Sequence, residues 1–198
     1  DSFARAHRNH LGMGLDLRSP AGAEVFARLV ATSDAVFANF KPGTLDALGF
    51  GYPQLHELNN GLVLAQSSAY GEVGPWSTRM GYGPLVRAAT GVTSLWTADT
   101  AGSDARHPFF DATTIFPDHV VGRITAIGAL AALIRRRRQG VGARIGVSQA
   151  EAGINQLETR FVTLAAEASG AGAVEVHRDT AEHLVLACLG EDQWCVVS

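Results

Sequence analysis

A strand–helix–strand pattern over residues 11–40 restricts the fold of this chain more than any other feature. In LGMGLDL (11–17) apolar residues alternate, which is the period of a half-buried strand. SPAGAEVFARLVA (19–31) follows, with Ser19 as a favourable N-cap and Pro20 suited to the first turn. Val25, Phe26, Leu29 and Val30 then recur at helical spacing. DAVFANF (34–40) reads as a buried strand. Two strands linked by one helix pair in parallel through a right-handed crossover. The expected fold class is therefore α/β, a parallel sheet with flanking helices.

The rest of the chain continues this alternation. TLDALG and YPQLHELNN read as short helices, and LVLAQSSAYG (62–71) as a third strand. GEVGPWSTRMGYGP (71–84) is a glycine-rich loop, LVRAATGVTSLW (85–96) is helical, and TADTAGSDARHP (97–108) has the composition of a linker. A long helix is expected from Pro117 to Arg138. Val120, Val121, Ile124, Ile127, Leu130, Ala131 and Ile134 give it a wide apolar face, typical of a well-buried helix. Arg135 to Arg138 offset the helix dipole at its end, and Gly140 stops it. ARIGVS (143–148) is a strand and QAEAGINQLETRFVTLAAEA (149–168) one more helix. SGAGA (169–173) is a flexible break. HLVLACLGEDQWCVVS (183–198) reads as a β-hairpin turning at Gly190 to Gln193. Two domains are expected: a large α/β domain over 1–168, then a linker and the start of a smaller β-containing domain over 169–198.

Composition excludes several classes. A formal net charge of −3 and a pI near 6.2 give no basic field, so no nucleic-acid partner is expected. The longest apolar candidate, Ile124 to Ile134, is too short to span a bilayer, so no membrane partner is expected either. The 7 histidines are scattered without HExxH or clustered carboxylates, and no metal is expected. Cys188 and Cys195 fit neither a zinc site nor a CxxC pair and read as reduced cysteines of a cytoplasmic protein. Neither GxGxxG nor GxxxxGK[ST] is present, and neither Ser68 nor Ser148 sits in a GxSxG elbow.

Two places invite chemistry. NFKPGT (39–44) follows a strand, and ligands of open α/β sheets sit beyond the carboxyl ends of strands. Asp118 stands at the start of the long helix. As an N-cap it would satisfy a free N–H and contribute about 1 kcal/mol. A carboxylate at a helix N-terminus is also held ionised by the dipole and available as a nucleophile. The residues alone leave both roles open.

Four blocks in order shift that balance. RNHLGMGLDLRSPAGAEVFARLV is similar to a strand and helix, NK-S-xx-LDL-xxPxG, of the family III CoA-transferases. DAVFANFKPGTLDALGFGYPQLHELNNGLV resembles their strand, ENFRPG turn and short helix. SSAYGEVGP is similar to SxxGFGxxGP. PDHVVGRITAIGALAALIRRRRQGVGARIGVSQAEAGI resembles their D-xxxG helix, RxxTGxGQ turn and strand. The likeness runs over roughly residues 9–160, and CLGEDQWCVVS resembles a later CxGxDxW strand pair.

The resemblance implies a Rossmann-like family III CoA-transferase fold, here incomplete, because members run to roughly twice this length. It implies an enzyme that moves CoA between an acyl-CoA thioester and a small carboxylic acid, with CoA as substrate. Members form interlocked homodimers. Asp118 takes the position of the family's nucleophile, which forms an aspartyl–acyl anhydride and then an aspartyl-CoA thioester. Gly122 would allow close approach. Asn39, Phe40, Lys41, Pro42 and Gly43 would line the CoA site, joined by His10 and Tyr82. Lys41 stands where arginine is common.

Two departures stand out. The family's NKRS is Asn9, His10, Leu11, Gly12, for which Arg5 and Arg8 would compensate. GYD is Gly81, Tyr82, Gly83, which loses an acid near the active site and lacks the histidine of the α-methylacyl-CoA racemases of this fold. A racemase and a non-catalytic CoA-binding homologue are the alternatives.

Overall fold

The computed structural model describes residues 7–96, 115–170, 184–190 and 193–197, and the chain divides into two compact units, Asp1–Gln156 and Leu157–Ser198. The linker expected at 97–108 and most of the break expected at 169–173 lie outside the described residues.

The first unit is built on three parallel strands. Helix α1 (Pro20–Thr32) leads into β1 (Ala35–Ala38), then α2 (Thr44–Ala47), α3 (Tyr52–Leu58) and β2 (Val63–Ser68). Helix α4 (Gly83–Ala89) and a 3-10 turn (Val92–Leu95) precede α5 (Phe116–Gln139), β3 (Ala143–Ser148) and α6 (Gln149–Asn155). The sheet order is β1-β2-β3, with Ala35 beside Val63 and Val63 beside Ala143. The α/β class expected from the sequence is the one observed. Ser19 caps α1 as expected: its hydroxyl accepts from the Gly22 N–H at 3.1 Å.

Successive side chains of a strand point to opposite faces, and β2 uses both. Leu62 and Leu64 join Val30, Leu45, Phe50 and Leu55 in one buried cluster. Val63 and Ala65 pack against Ala129 and Ala132 of α5 in a second. The central strand is therefore apolar on both sides, as a parallel sheet covered on two faces requires.

Four local expectations are corrected. Residues 11–16 form no strand: Leu11 is fully exposed, Met13 is also exposed, and Gly12 and Gly14 add nothing to pack. Alternation alone does not make a strand without a neighbour to bond. The 85–96 helix breaks, because Gly91 adopts a left-handed φ of 80° and separates α4 from the 3-10 turn. The 149–168 helix also divides, as Gln156 closes α6 by donating to Gly153 O at 3.0 Å. That break falls where the two compact units meet in sequence.

The fourth correction concerns α5. Its buried residues are Pro117, Val121, Thr125, Ala129 and Ala132, in steps of four and three. Ile124, Ile127, Leu130 and Ile134 are exposed, Ile127 by 67%. Apolar residues cover more than one side of this helix, and the small-residue side is the one that seats on β2 and β3. At 24 residues α5 is long and apolar enough to cross a membrane by length and composition, longer than the Ile124–Ile134 run suggested. One side of it seats on β2 and β3, and 22% of its apolar stretch is buried. Its end is fastened: Arg136 pairs with Asp34 Oδ1 at 2.5 Å and donates to Gly61 O at 3.0 Å, while Arg135 donates to Gly142 O at 3.2 Å.

In the second unit α7 (Glu158–Ser169) precedes β4 (Leu184–Ala187) and β5 (Trp194–Val197), an antiparallel pair. This is the hairpin expected, with Cys188 N–H donating to Gln193 O at 2.8 Å beside its turn. Cys188 and Cys195 are both exposed free thiols.

Candidate active site

The carboxyl ends of all three strands open on one side of the sheet, and two adjoining clefts lie there. The first, about 380 Å³, is lined by Asn39 after β1, by Ser67, Ser68 and Ala69 at the end of β2, and by Gln149 after β3. Gly81 and Tyr82 enter from the loop before α4, and Asp118, Val121 and Gly122 from the first turns of α5. Crevices beyond strand ends are where open α/β sheets bind ligands. Gly81 is required by crowding: a Cβ there would stand 2.8 Å from Ala69 Cβ and 2.9 Å from Tyr70 Cε2. At Gly122 a Cβ would meet nothing within 4 Å, so this wall is open to a ligand.

Asp118 does not cap α5. The helix begins at Phe116, its N-cap is Ile115, and no side-chain cap bond forms. Asp118 is the third residue of the helix, its N–H donating to Ile115 O at 3.0 Å. Among the described residues nothing is hydrogen-bonded to its carboxylate, which is exposed on the cleft. The cap role weighed from the sequence is therefore absent, and both carboxylate oxygens are left for other work.

The second cleft, about 240 Å³, is lined by Phe40, Pro42, Gln66, Gly71, Glu72, Val73, Gly146, Val147, Ser148 and Glu151, and shares Ser67 and Ser68 with the first. Arg144 braces its side by pairing with Glu72 Oε1 at 2.8 Å and donating to Gln66 Oε1 at 3.3 Å. A long ligand can cross from one cleft to the other over the two serines.

The residues singled out from the sequence are distributed unevenly. Asp118, Asn39 and Tyr82 share the first cleft, and Phe40 and Pro42 line the second. Lys41 is exposed and lines neither; its carbonyl accepts from Thr44 N–H at 3.1 Å. Gly43 lines neither but makes the turn into α2, with a φ of 81° that favours glycine. His10 is exposed, 3.3 Å from His7 Nδ1, and belongs to neither cleft.

Gln149, which is buried, was not singled out from the sequence, and Ser67 and Ser68 entered only through the SSAYGEVGP block and the absent GxSxG elbow. Their signal is positional: each ends or follows a strand on the side where ligands bind. Arg87 lines neither cleft. It is fully buried on α4, one turn beyond Gly83, with its guanidinium 5.5 Å from the Trp96 ring centre. Among the described residues no group of three or more His, Cys, Asp or Glu is placed to hold a metal.

Compared with known protein families, the chain matches CoA-transferase family III over residues 1–198. The chain belongs to CoA-transferase family III. A probable CoA-transferase of Mycobacterium tuberculosis is 63% identical over 199 residues, which is 100% of this chain and 25% of that protein. The succinyl-CoA–L-malate CoA-transferase alpha subunit of Chloroflexus aurantiacus is 34% identical over 145 residues, 73% of this chain and 33% of that one. The chain thus spans a quarter of the first relative's length and a third of the second's. Among solved structures, the Mycobacterium tuberculosis protein Rv3272 superposes with a TM-score of 0.69 at 26% identity, covering 80% of this chain and 43% of that one. A CAIB/BAIF family protein from Brucella suis gives a TM-score of 0.68 at 29% identity, covering 87% and 44%. The family III assignment and the parallel α/β fold expected from the sequence both stand.

Proposed function

We propose that the full-length protein moves CoA between an acyl-CoA thioester and a carboxylic acid, with Asp118 as the nucleophile. The observation that carries this is the uncommitted Asp118 carboxylate on a cleft rich in hydrogen-bond donors. The carboxylate attacks the thioester carbonyl, and CoA leaves as thiolate from an aspartyl–acyl anhydride. The thiolate attacks the aspartyl carbonyl, releasing the first acid and leaving an aspartyl-CoA thioester. The acceptor carboxylate attacks that thioester, forms a new anhydride and expels the thiolate. The thiolate then takes the new acyl group, and Asp118 returns as carboxylate. One difficult exchange becomes four nucleophilic steps. Each passes through an oxyanion that needs a fixed donor. Asn39, Ser67, Ser68, Tyr82 and Gln149 line the cleft and carry side-chain donors for that work.

The second cleft, flanked by Phe40 and Pro42, suits the elongated CoA portion of the substrate. By family resemblance, CoA takes part as substrate and the working unit is an interlocked homodimer, while the free cysteines favour the cytoplasm as its compartment. The test uses full-length protein, acyl-CoA and hydroxylamine. A hydroxamate should form at Asp118, and Asp118→Ala should abolish both it and transfer. Transfer surviving in Asp118→Ala would sink the proposal.

A further inference from the structure

A third hollow, about 230 Å³, opens from the first cleft. The two share Asn39, Ser67 and Gly122, and the hollow's own walls include Phe37, Ala65 and Thr125. It lies between α5 and β1. Helix α5 seats on β2 and β3, so Phe37, in register beside Ala65, stays 60% exposed. Along the helix, Gly122 stands one turn beyond Asp118 and Thr125 nearly two, about 6 to 11 Å from the nucleophile at 1.5 Å per residue.

Its polarity differs from that of the cleft. Asn39 and Ser67 stand where the two spaces meet. Deeper in, the Thr125 hydroxyl is already engaged, donating to Val121 O at 2.7 Å. Among the described residues that line the hollow, none is charged. A second carboxylate placed there would lose water against Phe37 and Ala65 and meet no cation from those walls. An alkyl group would gain from the same walls.

We propose that this hollow receives the tail of the transferred acyl group, and that the acid is a monocarboxylate whose apolar tail is long enough to pass Gly122. The reacting carbonyl stays among the donors of the first cleft, and the tail leaves along α5 toward Thr125. This rests on Asp118 as nucleophile, so the experiment separates the two ideas.

The rate of hydroxamate formation at Asp118 in the full-length protein, at fixed hydroxylamine, reads the first step without any acceptor acid. Each methylene taken from water to an apolar wall is worth about fourfold. Hexanoyl-CoA should therefore exceed butyryl-CoA on the order of tenfold in second-order rate constant. Adipyl-CoA has the carbon count of hexanoyl-CoA but ends in a carboxylate, and should be at least about tenfold slower than it. Phe37→Ala removes one wall and should cut the advantage of hexanoyl over butyryl to below about threefold. Phe37 is exposed, so its truncation leaves the core intact, and a ratio of two donors on one protein is blind to general damage.

Equal rates for butyryl-CoA and hexanoyl-CoA would overturn the inference. So would adipyl-CoA matching hexanoyl-CoA, or an undiminished advantage in Phe37→Ala. In each of these results Asp118 is still modified, and the proposed mechanism stands without the hollow. Transfer surviving in Asp118→Ala would instead retire the mechanism, and the role of the hollow with it.

Discussion

Four consecutive arginines end α5, and the structure gives them unequal roles, so alanine at each tests the fold directly. Arg136 reaches back across the sheet to Asp34 Oδ1 at 2.5 Å and to Gly61 O at 3.0 Å. Its side chain is 25% exposed, whereas Asp34 is 77% exposed. The ion pair is thus mostly solvated and contributes about 0.2–1 kcal/mol. The bond from a guanidinium to the partly buried Gly61 carbonyl contributes about 1.5–3 kcal/mol. Discounted for partial exposure, Arg136→Ala should cost roughly 1–3 kcal/mol. Arg137 and Arg138 are exposed with no hydrogen bond or ion pair among the described residues, and their alanine variants should stay within about 0.5 kcal/mol of the parent. Urea unfolding of the full-length protein, followed by far-UV circular dichroism at constant m, measures the difference. Asp34→Asn should lose only the small ion-pair share. If Arg136→Ala and Arg137→Ala unfold at the same midpoint, the proposed fastening of α5 to the strand starts is wrong. If Asp34→Asn costs as much as Arg136→Ala, the ion pair rather than the carbonyl bond carries the energy.

Two further outcomes follow from packing. Leu55 is fully buried among Val30, Leu62 and Leu64, and Leu55→Ala should destabilise by about 2–5 kcal/mol in the same assay. A Cβ on Gly142 would overlap Leu62 O and stand 2.8 Å from Gly61 C, so backbone rather than a yielding side chain blocks it. Gly142→Ala should cost about 1–3 kcal/mol and speed amide exchange at Ala143, whose N–H donates to Leu62 O at 3.1 Å. Unchanged exchange there would show that the strands absorb the methyl group.

Much of the layout was readable because its causes are local. Ser19 and Pro20 mark the start of α1, Gly140 takes a left-handed φ of 73° and ends α5, and β1, β2 and β3 fall on the apolar runs at 34–40, 62–71 and 143–148. Each needs only a few neighbouring residues to be satisfied. LGMGLDL misled because a strand needs a partner, and the alternation of Leu11 and Met13 does not supply one. The long helix misled differently. Its apolar residues cover more than one side, and its sequence does not say whether Ile124, Ile127 and Ile134 or Val121, Ala129 and Ala132 meet the sheet. That choice depends on how closely the helix can approach β2 and β3.

For the candidate site, the sequence by itself supplied the family, the nucleophile candidate Asp118 and the loop 39–43, because their chemistry and order are written along the chain. Only the tertiary structure decided how they combine. It moved Asp118 from the cap into the first turn, set it with Asn39, Ser67, Ser68, Tyr82 and Gln149, and left His10, Lys41 and Gly43 outside the clefts. It also set Gly83 against the Asp118 carboxylate. Residue types are legible one at a time. Distances between residues far apart in sequence exist only once parallel strands bring their ends together.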